Sequence, residues 1–177
     1  WISKRPYTTN GWGAEGLWIK PSELTGYQDD SHKLIANTKG DSMLTFNAQS
    51  SIIARDSVAL LGPSFSKQAD NYEYNVDIDE QGHVLLVWVA PDDLVPSEQS
   101  LYYKYFDGSW GPEGKVETNA TGNLKNPAVK FIGNGIAVAA WEFATHPGAG
   151  LSYTYDGIRV ASFDASKATG QWTADSS

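Results

Sequence analysis

The chain has 177 residues, no cysteine and a formal net charge of −8. Hydrophobic residues make up 41% of it, which is enough for the core of one ordinary domain. The acidic balance argues against binding to nucleic acid or to anionic lipid surfaces, and the lack of cysteine excludes disulfides and thiolate metal sites. The longest apolar run, VLLVWVA at 84–90, is too short to span a bilayer. Because the chain begins with Trp1 rather than Met, we expect a processed protein or a piece of a longer one.

Taken in chain order, the sequence predicts short β-strands separated by turns rich in Gly, Asn, Asp and Pro. The first part predicts strands at 1–7, 11–20, 32–38, 42–48, 51–60 and 64–69. No segment holds the apolar spacing of an amphipathic helix. We therefore predict an all-β chain.

The clearest pattern begins near residue 72, where four strands follow one another. Tight turns join the first strand to the second and the third to the fourth. The predicted strands are 72–79, 83–90, 101–106 and 110–117, and the same order then recurs at 126–132, 136–143, 157–163 and 171–177. Four strands per repeat, with a period of roughly 50 residues, are typical of β-propeller blades.

Large aromatic residues recur with the predicted strands. Phe46, Trp88 and Trp141 stand near the ends of second strands, and the fourth strands open on Trp12, Phe65, Trp110 and Trp172. A large flat side chain at a repeated position buries much apolar area between neighbouring sheets. We predict that the repeated tryptophans fill the space between sheets and have a structural role.

This pattern predicts a single partial β-propeller domain over 1–177. It comprises about three and a half blades, a half blade at 1–20 and blades at about 32–69, 72–117 and 126–177. Propellers typically have more blades, and an incomplete ring leaves sheet faces and edges exposed. We expect the missing blades to come from a longer parent chain or from a second copy.

Two stretches carry a resemblance to a known family. The sequences DIDEQGHVLLVWVAPDD and QSLYYKYFDGSWGPEGKV resemble the repeats of bacterial extracellular β-propellers with sialidase-like or Trp-rich four-stranded blades, and FIGNGIAVAAWEF is similar. The resemblance covers nearly the whole chain, but only at the level of the repeat. It implies a sialidase-like fold and says little about activity.

The chain departs from the sialidase pattern at two places. The sialidase Asp-box separates its Asp from its Gly by one residue, whereas YFDGSWG has them adjacent. Sialidases also use three converging arginines. Here Arg5, Arg55 and Arg159 occupy corresponding third strands of different repeats, where we expect them to diverge. We predict no catalytic residue.

The predicted strand order places the long connections on one face of the sheets. They are 21–31, 90–100, 118–125 and 144–156. Long loops on a rigid scaffold commonly carry binding sites, and tyrosines beside carboxylates suit sugar rings. The candidate ligand-binding residues are Tyr27, Asp92, Asp93, Glu142, His146, Tyr153 and Tyr155. Each could equally be an ordinary solvated loop residue.

Metal sites and catalytic motifs have little support in the sequence. DIDEQG at 77–82 has a superficial likeness to a calcium loop, but it lacks the further ligands of an EF-hand and stands where a hairpin turn is expected. The histidines show no zinc-binding spacing. We therefore expect no cofactor, with calcium as a weak alternative.

We predict that the chain is a non-catalytic binding or structural propeller segment of a bacterial secreted or surface protein. We expect it to be lectin-like and to recognise carbohydrate or protein through the long-loop face. The alternative is a fragment of a propeller glycoside hydrolase or polysaccharide lyase, in which His146 and Tyr155 would act as base and acid. A third possibility is a structural spacer completed by a partner.

Overall fold

The structure is a computed structural model of the chain. It describes residues 7–8, 11–12, 32–39, 41–48, 51–56, 60–61, 73–92, 99–119, 122–133, 135–145, 154–167 and 171–174. Over these ranges the chain is all-β, as the sequence predicts, and forms no helix. A long apolar helix that could cross a membrane is therefore absent from the described part of the chain.

The described strands form three four-stranded antiparallel sheets and one two-stranded ribbon. The ribbon pairs β1 (Tyr7–Thr8) with β2 (Gly11–Trp12). In each larger sheet, neighbouring strands follow the order of the chain. The first sheet contains β3 (His32–Ala36), β4 (Ser42–Ala48), β5 (Ser51–Asp56) and β6 (Leu60–Leu61).

The other two sheets follow in the second half of the chain. The middle sheet contains β7 (Tyr74–Ile78), β8 (Val84–Pro91), β9 (Gln99–Phe106) and β10 (Gly114–Asn119). The last sheet contains β11 (Gly122–Gly133), β12 (Ile136–Thr145), β13 (Thr154–Asp164) and β14 (Trp172–Ala174). The alternation of four strands with local turns agrees with the predicted repeat.

Some strand bounds differ from those predicted. The stretch 51–60 was expected as one strand, but β5 ends at Asp56 and the chain returns as β6, whose Leu60 pairs with Arg55. The predicted strand at 64–69 lies outside the described residues. The expected loop at 118–125 is largely strand, because β10 runs to Asn119 and β11 begins at Gly122. Backbone pairing with a neighbour extends these strands into segments whose polar composition suggested a loop.

The β7–β8 connection is a tight hairpin turn, as predicted for EQG. The N–H of Asp79 donates to the carbonyl of His83 at 3.0 Å, and the Asp79 carboxylate accepts the N–H groups of Gln81 and His83 at 2.9 Å each. Gly82 has a φ of 86°, which side-chain-bearing residues rarely adopt. Asp79, the second aspartate of DIDEQG, therefore has partners within its own turn.

The first and middle sheets pack face to face through a cluster of apolar side chains. Met43 of β4 lies against Tyr74, Val76 and Trp88 of the middle sheet. Polar contacts reinforce this packing, because the Lys33 ammonium donates to the carbonyl of Tyr74 at 2.6 Å. We call this contact the first junction.

The middle and last sheets form a second junction of the same kind. One side supplies Leu85, Val87, Val89 and Leu101, and the other supplies Val129, Ala137, Ala139, Trp141 and Phe163. Where β7 meets β11, the Asp77 carboxylate accepts the N–H of Phe131 at 2.7 Å and contacts the Lys130 ammonium at 2.9 Å. Strand β7 thus touches both β3 and β11, so the first strands of the three sheets lie side by side.

The tryptophans occupy these junctions. Trp88 and Trp141 are fully buried, one in each junction, and Trp110 and Trp172 are partly buried against the same two clusters. This confirms the predicted packing role for these four tryptophans.

Candidate ligand-binding site

The short turns gather at one end of the sheets. The Asn37 amide in the β3–β4 turn donates to the carbonyl of Asp79 at 2.9 Å. The Asp79 carboxylate in turn accepts the N–H of Gly135, in the β11–β12 turn, at 3.1 Å. Because antiparallel strands alternate in direction, the β8–β9 and β12–β13 connections lie at the opposite end, which we call the long-loop end.

A depression of about 430 Å³ lies at the long-loop end of the last sheet. The described residues that line it are Glu142 of β12 and Asp156, Gly157 and Ile158 of β13. Glu142 pairs in register with Ile158, on the side of the sheet that faces away from the middle sheet. A carboxylate therefore stands directly across from an apolar side chain.

A β-bulge shapes the wall of this depression. Phe143 pairs with Gly157, but the next residue, Ala144, pairs with Tyr155, so Asp156 is the extra residue of β13. Gly157 has a φ of 146°, which favours glycine. Bulges re-aim side chains and often occur beside functional sites. Here the bulge brings Asp156 to the same depression as Glu142.

The depression combines two carboxylates with an exposed isoleucine. Glu142 is half-buried, Asp156 is exposed, and Ile158 keeps 70% of its surface accessible. Carboxylate oxygens accept hydrogen bonds from hydroxyl groups, and the isoleucine offers an apolar surface to a ring face. This arrangement suits a neutral polyhydroxylated ligand.

The structure brings together only part of the predicted site. Glu142 lines the depression, whereas Asp92 lies buried at the end of β8. Tyr155 belongs to β13, opposite Ala144. The remaining candidates lie outside the described residues: Tyr27, Asp93, His146 and Tyr153.

Asp92 is engaged in a polar cluster within the middle sheet. Its carboxylate accepts the hydroxyl of Ser100 at 2.6 Å and the ammonium of Lys115 at 2.5 Å. The hydrogen bond to Asp92 raises the pKa of Lys115, and this ammonium also lies 5.6 Å from the centre of the Tyr102 ring. Asp92 thus connects the strands β9 and β10.

Replacing Asp92 by alanine should lower the free energy of unfolding by about 1–2 kcal/mol, because Ser100 and Lys115 lose a shared acceptor. Denaturant unfolding of Asp92→Ala measures this. In the Lys115→Met background the same change should cost less, since one partner is already gone. Because the raised pKa of Lys115 stabilises the fold only while the ammonium is protonated, its contribution should disappear at pH values above that pKa. A variant with unchanged stability would contradict this structural role.

The two arginines whose strands are described belong to different sheets. Arg55 lies on β5 and Arg159 on β13, the third strands of different sheets, and Arg5 lies outside the described residues. The Arg159 guanidinium stands 3.7 Å from the centre of the Phe143 ring, on the face of the last sheet that carries Trp141. An aromatic contact of this kind holds the guanidinium against the sheet.

Sequence reasoning identified Glu142 but missed Asp156, Gly157 and Ile158. The dipeptide Asp-Gly before an apolar alternating strand is a turn or bulge signal that could have marked this position. No cluster of three or more metal-ligating side chains occurs among the described residues. Neither a protein-family model, nor a curated protein, nor a solved structure matches the chain.

Proposed function

We propose that the sheets are blades of a partial β-propeller. Three observations support this arrangement: each described large sheet is a four-stranded meander, successive sheets pack face to face, and the first strands β3, β7 and β11 lie side by side. Sheets repeated about a common axis in this manner are typical of propellers.

The function we propose is non-catalytic recognition of carbohydrate, in a secreted or surface protein, through the long-loop end. The depression lined by Glu142, Asp156 and Ile158 is the observation that carries the proposal. A sugar ring has an apolar C–H face and hydroxyl donors, which match the isoleucine and the two carboxylates. The proposed ligand is a neutral oligosaccharide, because an acidic sugar would be repelled by the two carboxylates.

The test measures binding of neutral cello-, xylo-, malto- and chito-oligosaccharides by calorimetry and by NMR titration. The double variant Glu142→Gln/Asp156→Asn keeps the shape of the depression but removes both charges. We expect it to bind about tenfold more weakly or worse, because hydrogen bonds to charged groups contribute about 1.5–3 kcal/mol each.

The matched control is Asp107→Asn, which removes one charge from an exposed turn at the other end of the middle sheet. This variant should bind as the parent chain does. If no sugar binds, or if the double variant binds as tightly as the control, the proposed site is wrong.

A second candidate function is glycoside hydrolysis, which the same two carboxylates favour. Such enzymes use a pair of carboxyl groups on either side of the scissile bond, one as acid and one as base or nucleophile. Release of reducing ends by the parent chain, abolished by Glu142→Gln, would support it. Binding without turnover would support the non-catalytic function instead.

A further inference from the structure

The last sheet exposes the face that points away from the middle sheet, which we call the trailing face. It carries Val138 and Ala140 of β12 and Ile158 and Val160 of β13. Ile158, at the edge of the depression, keeps 70% of its surface accessible, and the other three are partly exposed. Neighbouring apolar side chains that stay accessible on one sheet face are typical of an interaction surface.

The middle sheet shows how such a face is covered inside the chain. Trp88 pairs with Tyr102 in the middle sheet, and Trp141 pairs with Arg159 in the last sheet. Leu101 and Ile158 each stand one residue before the partner of the tryptophan, so they hold equivalent positions in their sheets. Leu101 is completely buried by the last sheet, whereas Ile158 is mostly exposed. The trailing face is therefore half of a junction whose other half is absent from the described part of the chain.

The first sheet presents the complementary half. On the second strands of the three sheets, the partners are Leu44 for Leu34, Leu86 for Val76 and Ala139 for Val129. Leu34, Val76 and Val129 therefore hold equivalent positions on the first strands of their sheets. Val76 and Val129 point into the two junctions and are 4% and 7% exposed, but Leu34 is 59% exposed. We call this side of the first sheet, which carries Leu34 and the exposed Ala36, the leading face.

We propose that the trailing face of the last sheet binds the leading face of the first sheet of a second copy of this chain. Both halves of one type of junction are present on each chain, at opposite ends of the series of three four-stranded sheets. Such a head-to-tail contact is heterologous, and it either closes into a ring or extends into a filament. The pairing continues the packing mode of the two junctions within the chain.

The depression lies at the long-loop end of the trailing face, so the second copy would lie beside it. The proposed contact between copies shares this surface with the proposed carbohydrate site, but self-association is measured without ligand. A chain that binds no sugar can still associate, and a chain that stays monomeric can still bind sugar, so the two proposals can fail independently.

The test is the solution mass of the chain, by light scattering and sedimentation over a wide concentration range. We expect the parent chain to exceed the 19.3 kDa of a single copy. The trailing-face variant Ile158→Asp/Val160→Asp and the leading-face variant Leu34→Asp/Ala36→Asp should each return to the mass of a single copy, because a buried unpaired charge opposes either half of the contact. Ser109→Asp adds charge to an exposed turn away from both faces and should associate as the parent does.

Mixing the two variants distinguishes head-to-tail pairing from other modes. The trailing-face variant retains an intact leading face, and the leading-face variant retains an intact trailing face, so the mixture should recover a pair that neither variant forms alone. Circular dichroism checks that each variant is folded, and Ile158→Asp alone serves if the double variant unfolds. A parent chain with the mass of one copy at all concentrations overturns the proposal. A mixture that stays monomeric, or a leading-face variant that associates normally, also overturns it.

Discussion

Replacing Trp88 by alanine should lower the free energy of unfolding by about 3–5 kcal/mol, which is typical of a large aromatic removed from a core. Trp88 is completely buried in the first junction and stacks on Tyr102, with ring centres 5.8 Å apart. The junction combines residues from two sheets, so the cavity would loosen both. Denaturant unfolding followed by tryptophan fluorescence and circular dichroism measures the loss.

Two companion variants show whether the loss comes from burial. Trp88→Phe keeps most of the apolar volume and should lose clearly less than Trp88→Ala. Trp110→Ala removes a tryptophan that is only partly buried against the same cluster, and it should also lose less. If Trp110→Ala proves as damaging as Trp88→Ala, the interior of the first junction is not the main source of stability.

Replacing Asp79 by alanine should cost about 3 kcal/mol, because several donors lose their acceptor at once. Its carboxylate is 3% exposed and accepts the N–H groups of Gln81, His83 and Gly135. The His83 ring nitrogen lies 2.8 Å from the same carboxylate. One side chain therefore holds its own turn and also the turn of the next sheet.

The Asp79 contribution should depend on pH in a defined direction. Burial alone would raise the pKa of Asp79, but its hydrogen bonds with His83, Gly135 and Gln81 outweigh burial and leave the pKa below its ordinary value. A lowered pKa in the folded state means that the stabilisation is present above the pKa of the unfolded chain. It is then lost as the pH falls through the lower, folded-state pKa.

Asp79→Asn is the matched variant for this pH effect. It retains the size of the side chain but cannot ionise, so its stability should show a smaller acid-dependent loss than that of the parent. Unfolding free energies from neutral pH down to strongly acidic pH provide the comparison. Parallel curves for the two proteins would show that Asp79 does not carry the acid sensitivity.

Asp79 and the proposed carbohydrate site lie at opposite ends of the sheets. The short turns form a hydrogen-bonded chain from Asn37 through Asp79 to Gly135 at one end, whereas Glu142 and Asp156 border the depression at the other. Turn variants should therefore act on stability and leave the ligand contacts unchanged. Variants of the depression should act on binding with little effect on stability, because its side chains are not fully buried.

The local sequence by itself determined the all-β class, the described repeat of four strands and most of its tight turns. These features depend on neighbouring residues: a short apolar or alternating run of five to eight residues indicates a strand, and a glycine such as Gly82 allows the backbone to turn. The burial of Trp88 and Trp141 also followed from sequence, because their position in the repeat is equivalent. Glu142 was found because it stands beside a long connection.

The tertiary structure decided how the sheets join and which side chains meet. Asp77 and Phe131 are 54 residues apart, and nothing in their local sequence predicts that a carboxylate of one sheet accepts a backbone N–H of the next. The loop position of Asp92 suggested a ligand contact, but packing of β9 and β10 places it beside Ser100 and Lys115. Asp156 reaches the depression only because a bulge shifts the register of β13 against β12. These side-chain positions depend on contacts between segments that are distant in the sequence, so local sequence patterns do not predict them.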